Sequence, residues 1–121
     1  DEHYQQALAL AQAQGDVRGQ IQALINLAAS DSYRRIDRGP SWAKEALRLA
    51  QQHGNPYLLA KAHLMLGTAY SWAGESAAAR EEYQQALSLW QRLEDHGGQQ
   101  LTLRLLSSVP PHRAALAHGR G

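Results

Sequence analysis

The sequence predicts an all-α chain of about six helices arranged as repeated antiparallel helix-turn-helix units, and three observations support this. Tyr4-Gln5-Gln6-Ala7-Leu8 recurs residue for residue as Tyr83-Gln84-Gln85-Ala86-Leu87, an offset of 79, with a weaker copy midway at Ala43-Lys44-Glu45-Ala46-Leu47. Half of that offset, 39 to 40 residues, accommodates two helices and their turns. Ala, Leu, Gln and Arg dominate while Phe is absent, and no segment alternates β-branched or aromatic residues with polar ones as a half-buried strand does.

The elements follow in order. A half repeat over residues 1–16 holds one helix, about 3–13; because the helical pattern starts at once with no earlier helix to pack on, the sequence reads as a piece of a longer protein. A repeat over 17–55 holds helices at about 17–33 and 41–53, with Gly39 between them. A repeat over 56–95 holds helices at about 56–72 and 76–94, separated at Gly74. A degraded partial repeat over 96–109, with a helix at about 98–108, carries Thr102-Leu103-Arg104-Leu105-Leu106-Ser107 as a decayed copy of Ala23-Leu24-Ile25-Asn26-Leu27-Ala28 and Ala62-His63-Leu64-Met65-Leu66-Gly67. Gly15 and Gly54 suit the left-handed position that ends a helix, Asp16 and Asn55 accept the free N–H groups that open the next, and Pro56 suits a first helical position. Residues 110–121 are too short to complete another repeat and read as a tail, either a short capping helix or disordered.

Composition limits the function classes. With no Cys there is no disulfide framework or thiolate metal site, and none of the six His has another three or four residues away on one helical face. A net charge of +1 gives no steering toward nucleic acid or anionic membrane, and no apolar run approaches the ~20 residues that cross a bilayer. The expectation is a cytoplasmic protein without cofactor or metal, binding neither nucleic acid nor membrane. Nucleophile elbows, phosphate-cradling glycine loops and paired carboxylates are missing, so it is not expected to be an enzyme.

At Leu66-Gly67, Tyr70, Ala79, Tyr83 and Ala86 the spacing resembles the tetratricopeptide repeat, in which a Leu-Gly pair and an aromatic on the first helix are followed by Ala, an aromatic and Ala on the second. Small residues lie where helices cross closely and aromatics fill the flanks. The match covers residues 60–94 best. His63 replaces the family's Trp, Gln91 its closing Pro, and the first repeat has Ala28 for the Gly and Asp31 for the aromatic. The period is also longer than the family's ~34 residues, and such long repeats are similar to arrays in bacterial multidomain regulators. The resemblance implies a right-handed superhelical α-solenoid whose first helices line a concave groove.

Carried over residue by residue, that resemblance places Gln22, Ile25, Asn26, Ala29 and Tyr33 of the first repeat, Lys61, Leu64, Met65, Thr68 and Trp72 of the second, and Leu101, Arg104 and Ser108 of the third in the groove. The implied function is a protein–protein interaction module that holds a peptide or helix of a partner. Two alternatives stand beside it: self-association through open array ends at Tyr4, Leu8 and Leu10, or ligand sensing near Tyr33 and Trp72. The carboxylate clamp of chaperone-binding relatives is not expected, since only Asn26 and Lys61 match its columns.

Other residues admit two readings. Trp72 and Met65 either grip a ligand or pack on the next repeat. Trp42 and Trp90, on second helices, read as packing residues. Arg34, Arg35 and Arg38 form a basic loop that reads as a solvated turn with Asp37 as counter-charge, and His63 reads as a hydrogen-bonded structural residue.

Overall fold

The computed structural model describes residues 2–34 and 38–110. Six helices occur among them and no strand: α1 Glu2–Gln14, α2 Val17–Tyr33, α3 Gly39–His53, α4 Pro56–Trp72, α5 Ser76–Arg92 and α6 His96–Ser108. The all-α expectation holds in number and order of elements. Of the expected tail only Pro110 lies within the described residues, as do Arg34 and Arg38 but not Arg35 and Asp37 of the basic loop.

The turns use the residues the repeat placed there. Gly15 and Gly54 take φ of +67° and +85°, a region that strains any residue with a Cβ. Asp16 Oδ1 accepts from the Gly19 N–H at 3.0 Å, and Asn55 Oδ1 from those of Tyr57 and Leu58 at 2.9 and 3.2 Å. Each satisfies N–H groups that the first turn leaves unpaired. Asp95 does the same for Gly98 at 2.8 Å, so α6 starts two residues before the expected 98 and α5 ends at Arg92 rather than 94. Gly39 was expected between helices, yet it is the first residue of α3 and is buried. A Cβ there would collide with Ser32 Oγ and lie 3.3 Å from the Ser32 backbone nitrogen, so a larger residue would require Ser32 to shift at the α2–α3 corner.

Consecutive helices pack on one another, and α2 also packs on α4. Gly67 meets Tyr83 and Ala60 clusters with Trp90, so α4 and α5 run antiparallel. Gln22 meets Lys61 and Tyr33 meets Trp72, so α2 and α4 run parallel in register, 39 residues apart. The main core gathers Ile21, Leu24, Ile25 and Ala28 of α2, Ala43, Ala46 and Ala50 of α3, and Leu58, Ala62, Met65, Leu66 and Ala69 of α4. An alanine edge on α3 lets its neighbours approach closely, and the larger side chains of α2 and α4 supply the buried apolar area, at about 1.5–3 kcal/mol for each fully buried Leu, Ile or Met. Smaller clusters centre on Trp90, with Ala60 and Ala86, and on Tyr83, with Ala79 and Val109.

Candidate functional site

The register of α2 on α4 aligns side chains of the two helices on one face. Gln22 Oε1 accepts from Lys61 Nζ at 2.9 Å, and Gln22 Nε2 donates to Asn26 Oδ1 at 3.3 Å. The Lys61 ammonium lies 5.6 Å from the centroid of the Tyr57 ring. At the other end of the helices Tyr33 and Trp72 form a tilted ring pair, centroids 6.2 Å apart. Tyr33 is 76% exposed and Trp72 46%, unlike the aromatics of the core. The face thus runs from the Lys61 ammonium, held by an amide pair, to an exposed aromatic pair.

Four of the expected groove residues belong elsewhere. Ile25 and Met65 are buried in the main core, because α2 and α4 lie close enough to cover that edge of each helix. Leu64 packs with Trp90 and Tyr83 of α5, so it fills the α4–α5 seam. The Thr68 hydroxyl donates to the Leu64 carbonyl at 3.0 Å and is hydrogen-bonded to Tyr83 Oη at 3.0 Å, which commits it to α5. Gln22, Asn26, Ala29, Tyr33, Lys61 and Trp72 are brought together on α2 and α4. Leu101, Arg104 and Ser108 are exposed on α6, which packs on α5. Ser108 Oγ turns back to the Leu105 carbonyl at 2.8 Å.

Residues outside the expected set join the face. Tyr4, Ser30 and Arg34 line an open cleft together with Asn26, Ala29 and Tyr33. A second cleft continues along α1 and α2 past Ala7, Leu10, Gly19 and Ala23. Of the three α1 residues expected on an open face, Leu10 is exposed and Tyr4 lines the cleft, whereas Leu8 packs against the main core. Tyr57 could have been found from its position four residues before Lys61, one turn away on the same helix.

Other polar groups pair between or within helices. His63 Nδ1 lies 2.8 Å from Glu82 Oε1 and joins α4 to α5. Trp42 Nε1 donates to Asp31 Oδ2 at 2.7 Å, and Arg38 Nε stands 3.5 Å from the same oxygen, so Arg38 has Asp31 as a counter-charge. Burial pushes the Tyr83 phenol pKa above its ordinary value, with the Thr68 hydrogen bond opposing. The hydrogen bond from Arg48 holds the Glu45 carboxyl below its own. Among the described residues no three His, Asp or Glu converge as a metal site does, and no helix is long and apolar enough to cross a membrane. Set against protein-family models and curated proteins, the chain matches none at a significant level.

Proposed function

We propose that the chain is a protein-interaction module of the tetratricopeptide kind, a cytoplasmic, non-enzymatic α-solenoid that holds a peptide of a partner protein across α2 and α4. The observation that carries this reading is the exposed Tyr33–Trp72 pair, aligned by the same 39-residue register that pairs Gln22 with Lys61. Large aromatics exposed side by side supply contact area with little rotamer entropy to lose, the character of interface anchors. Lys61 precedes Trp72 by 11 residues on α4, about 16 Å at the helical rise. An extended peptide spans that distance in about five residues, so the ligand fitted here carries a carbonyl or carboxylate for Lys61 and an apolar side chain about five residues away.

The test uses peptides selected from a random display library on the folded chain. Trp72→Ala, Tyr33→Ala and Lys61→Ala should each weaken the selected peptides by about fivefold or more, while Gln84→Ala, on the exposed side of α5, should not. Binding that survives all three face substitutions with the helical spectrum intact rejects the proposal.

A further inference from the structure

The net charge of +1 is shared unevenly between the two kinds of helix. Arg18 belongs to α2, Lys61 to α4 and Arg104 to α6. The one carboxylate within these three helices is Asp31, which is 1% exposed and accepts the Trp42 N–H. The other helices all carry accessible acids: Glu2 in α1, Glu45 in α3 beside Lys44 and Arg48, and Glu81 and Glu82 in α5 beside Arg80 and Arg92. The helices α2 and α4, which form the candidate face, thus present cations and no accessible carboxylate.

Two of those cations lie at the same end of the face. Arg18 is exposed one turn before Gln22 on α2 and, by the 39-residue register, stands level with Tyr57 of α4. Lys61 Nζ donates to Gln22 Oε1 at 2.9 Å and lies 5.6 Å from the centroid of the Tyr57 ring, so both of these partners are neutral. An ammonium has three N–H donors, and the Gln22 oxygen takes one of them. The ion pairs among the described residues are Arg38 with Asp31, Arg48 with Glu45 and His63 with Glu82; neither Arg18 nor Lys61 takes part in one. Asp16, the acid nearest to Arg18 along the chain, caps α2 by accepting the Gly19 N–H. The face therefore has two cations without a carboxylate at one end and the Tyr33–Trp72 pair at the other.

Resting on the peptide-binding reading of this face, we infer that the partner segment is acidic at one end: two Asp or Glu side chains of an internal stretch engage Lys61 and Arg18, while an apolar side chain rests on the Tyr33–Trp72 pair. A hydrogen bond to a charged acceptor is about twice as strong as one to a neutral acceptor, which favours a carboxylate over a carbonyl at both positions. Arg18 precedes Tyr33 by 15 residues on α2, about 22 Å at the helical rise, and an extended segment covers that in about seven residues. Two cations on different helices are better matched by two side chains at alternate positions of an extended segment, which face the same way, than by one terminal carboxylate. The Gln22 and Asn26 amides beside them suit a peptide backbone, which offers a donor and an acceptor at nearly every residue. Two cations are too few for the phosphate track of a single-stranded nucleic acid, which draws on a charged groove along its length.

The experiment selects a random peptide display library on the full 121-residue chain, once as wild type and once as the Arg18→Glu/Lys61→Glu double variant with its helical circular dichroism spectrum verified. Wild-type binders should be acidic relative to the unselected library, and double-variant binders should be basic, with an apolar residue retained in both sets. Amidated synthetic copies of the wild-type binders, followed by fluorescence anisotropy, should bind Arg18→Gln about two- to fivefold more weakly than wild type. Raising the salt from about 50 to about 300 mM should weaken them about threefold or more. Binders that depend on Trp72 but show no excess of acidic residues overturn the inference and leave the peptide-binding reading standing; so do binders that require a free C-terminal carboxylate. A library that yields no binder, or binders indifferent to Trp72→Ala, overturns both. So does an oligothymidylate of about 15 nucleotides that binds more tightly than the best peptide and is weakened by Trp72→Ala.

Discussion

Gly67→Ala isolates the packing that joins α4 to α5. In an exposed helix this change removes backbone freedom from the unfolded chain and stabilises by up to about 1 kcal/mol. At Gly67 the new Cβ would lie 2.7 and 2.8 Å from Tyr83 Cδ1 and Cε1 and 3.2 Å from the Ala79 carbonyl oxygen. The Tyr83 ring is 1% exposed and its hydroxyl is tied to Thr68, so it has no solvent to swing into. Overpacking of this kind costs about 1–3 kcal/mol, and a rigid ring together with a backbone oxygen puts Gly67 in the upper half of that range. Subtracting the helix gain leaves a net loss of about 1–2 kcal/mol, or roughly 4–8 °C in Tm for a chain of this size. Gly97→Ala is the control: a Cβ there meets only Asp95 Oδ1 at 3.6 Å, so it should be neutral or stabilising by a few tenths of a kcal/mol. Urea unfolding followed by circular dichroism measures both. If Gly67→Ala is as stabilising as Gly97→Ala, the close approach of α4 and α5 does not govern this hairpin.

Two further outcomes follow from the polar contacts. Tyr83 has its phenol pKa raised by burial, so its contribution is fully present below the unfolded phenol pKa and is lost as pH rises through the folded one; an alkaline fall in urea midpoint should be reduced in Tyr83→Phe. Trp42→Phe removes the N–H that Asp31 accepts at 2.7 Å and leaves a carboxylate that is 1% exposed with Arg38 alone, which should cost about 2–3 kcal/mol by equilibrium denaturation, whereas Trp72→Phe on the exposed face should change stability by less than about 0.5 kcal/mol.

What was legible in the sequence depended on local chemistry. Gly15, Asp16, Gly54, Asn55 and Pro56 act through their own backbone or the next three residues, so their turns appear where the repeat places them. Gly39 was misplaced because its role depends on Ser32, across a corner whose closeness no local pattern encodes. The site divides in the same way. The resemblance to the tetratricopeptide repeat put Gln22, Asn26, Lys61 and Trp72 on a common face, but it could not tell how far α4 would close over that face. Ile25 and Met65 lie one edge too near the contact and are buried, and Thr68 turns to a tyrosine on the next helix.

The two hairpins reach similar packing by different combinations, which accounts for the first repeat's departures from the small–aromatic pattern. In α4–α5, Gly67 receives Tyr83, and Tyr70 packs against the same cluster. In α2–α3 the corresponding residues are Ala28, Ala43 and Asp31, so both aromatics are missing. Trp42, adjacent to Ala43, packs on the main core and restores the lost volume, but an indole brings an N–H that needs an acceptor. Asp31 is that acceptor, with its Oδ1 unpartnered among the described residues and Arg38 beside its Oδ2. The change at 31 and the change at 43 are therefore one compensated substitution: a carboxylate at 31 is tolerable only because the aromatic moved one residue along α3. The first repeat is repacked, not eroded, and this keeps α2 in register with α4 so that Gln22 meets Lys61 and Tyr33 meets Trp72.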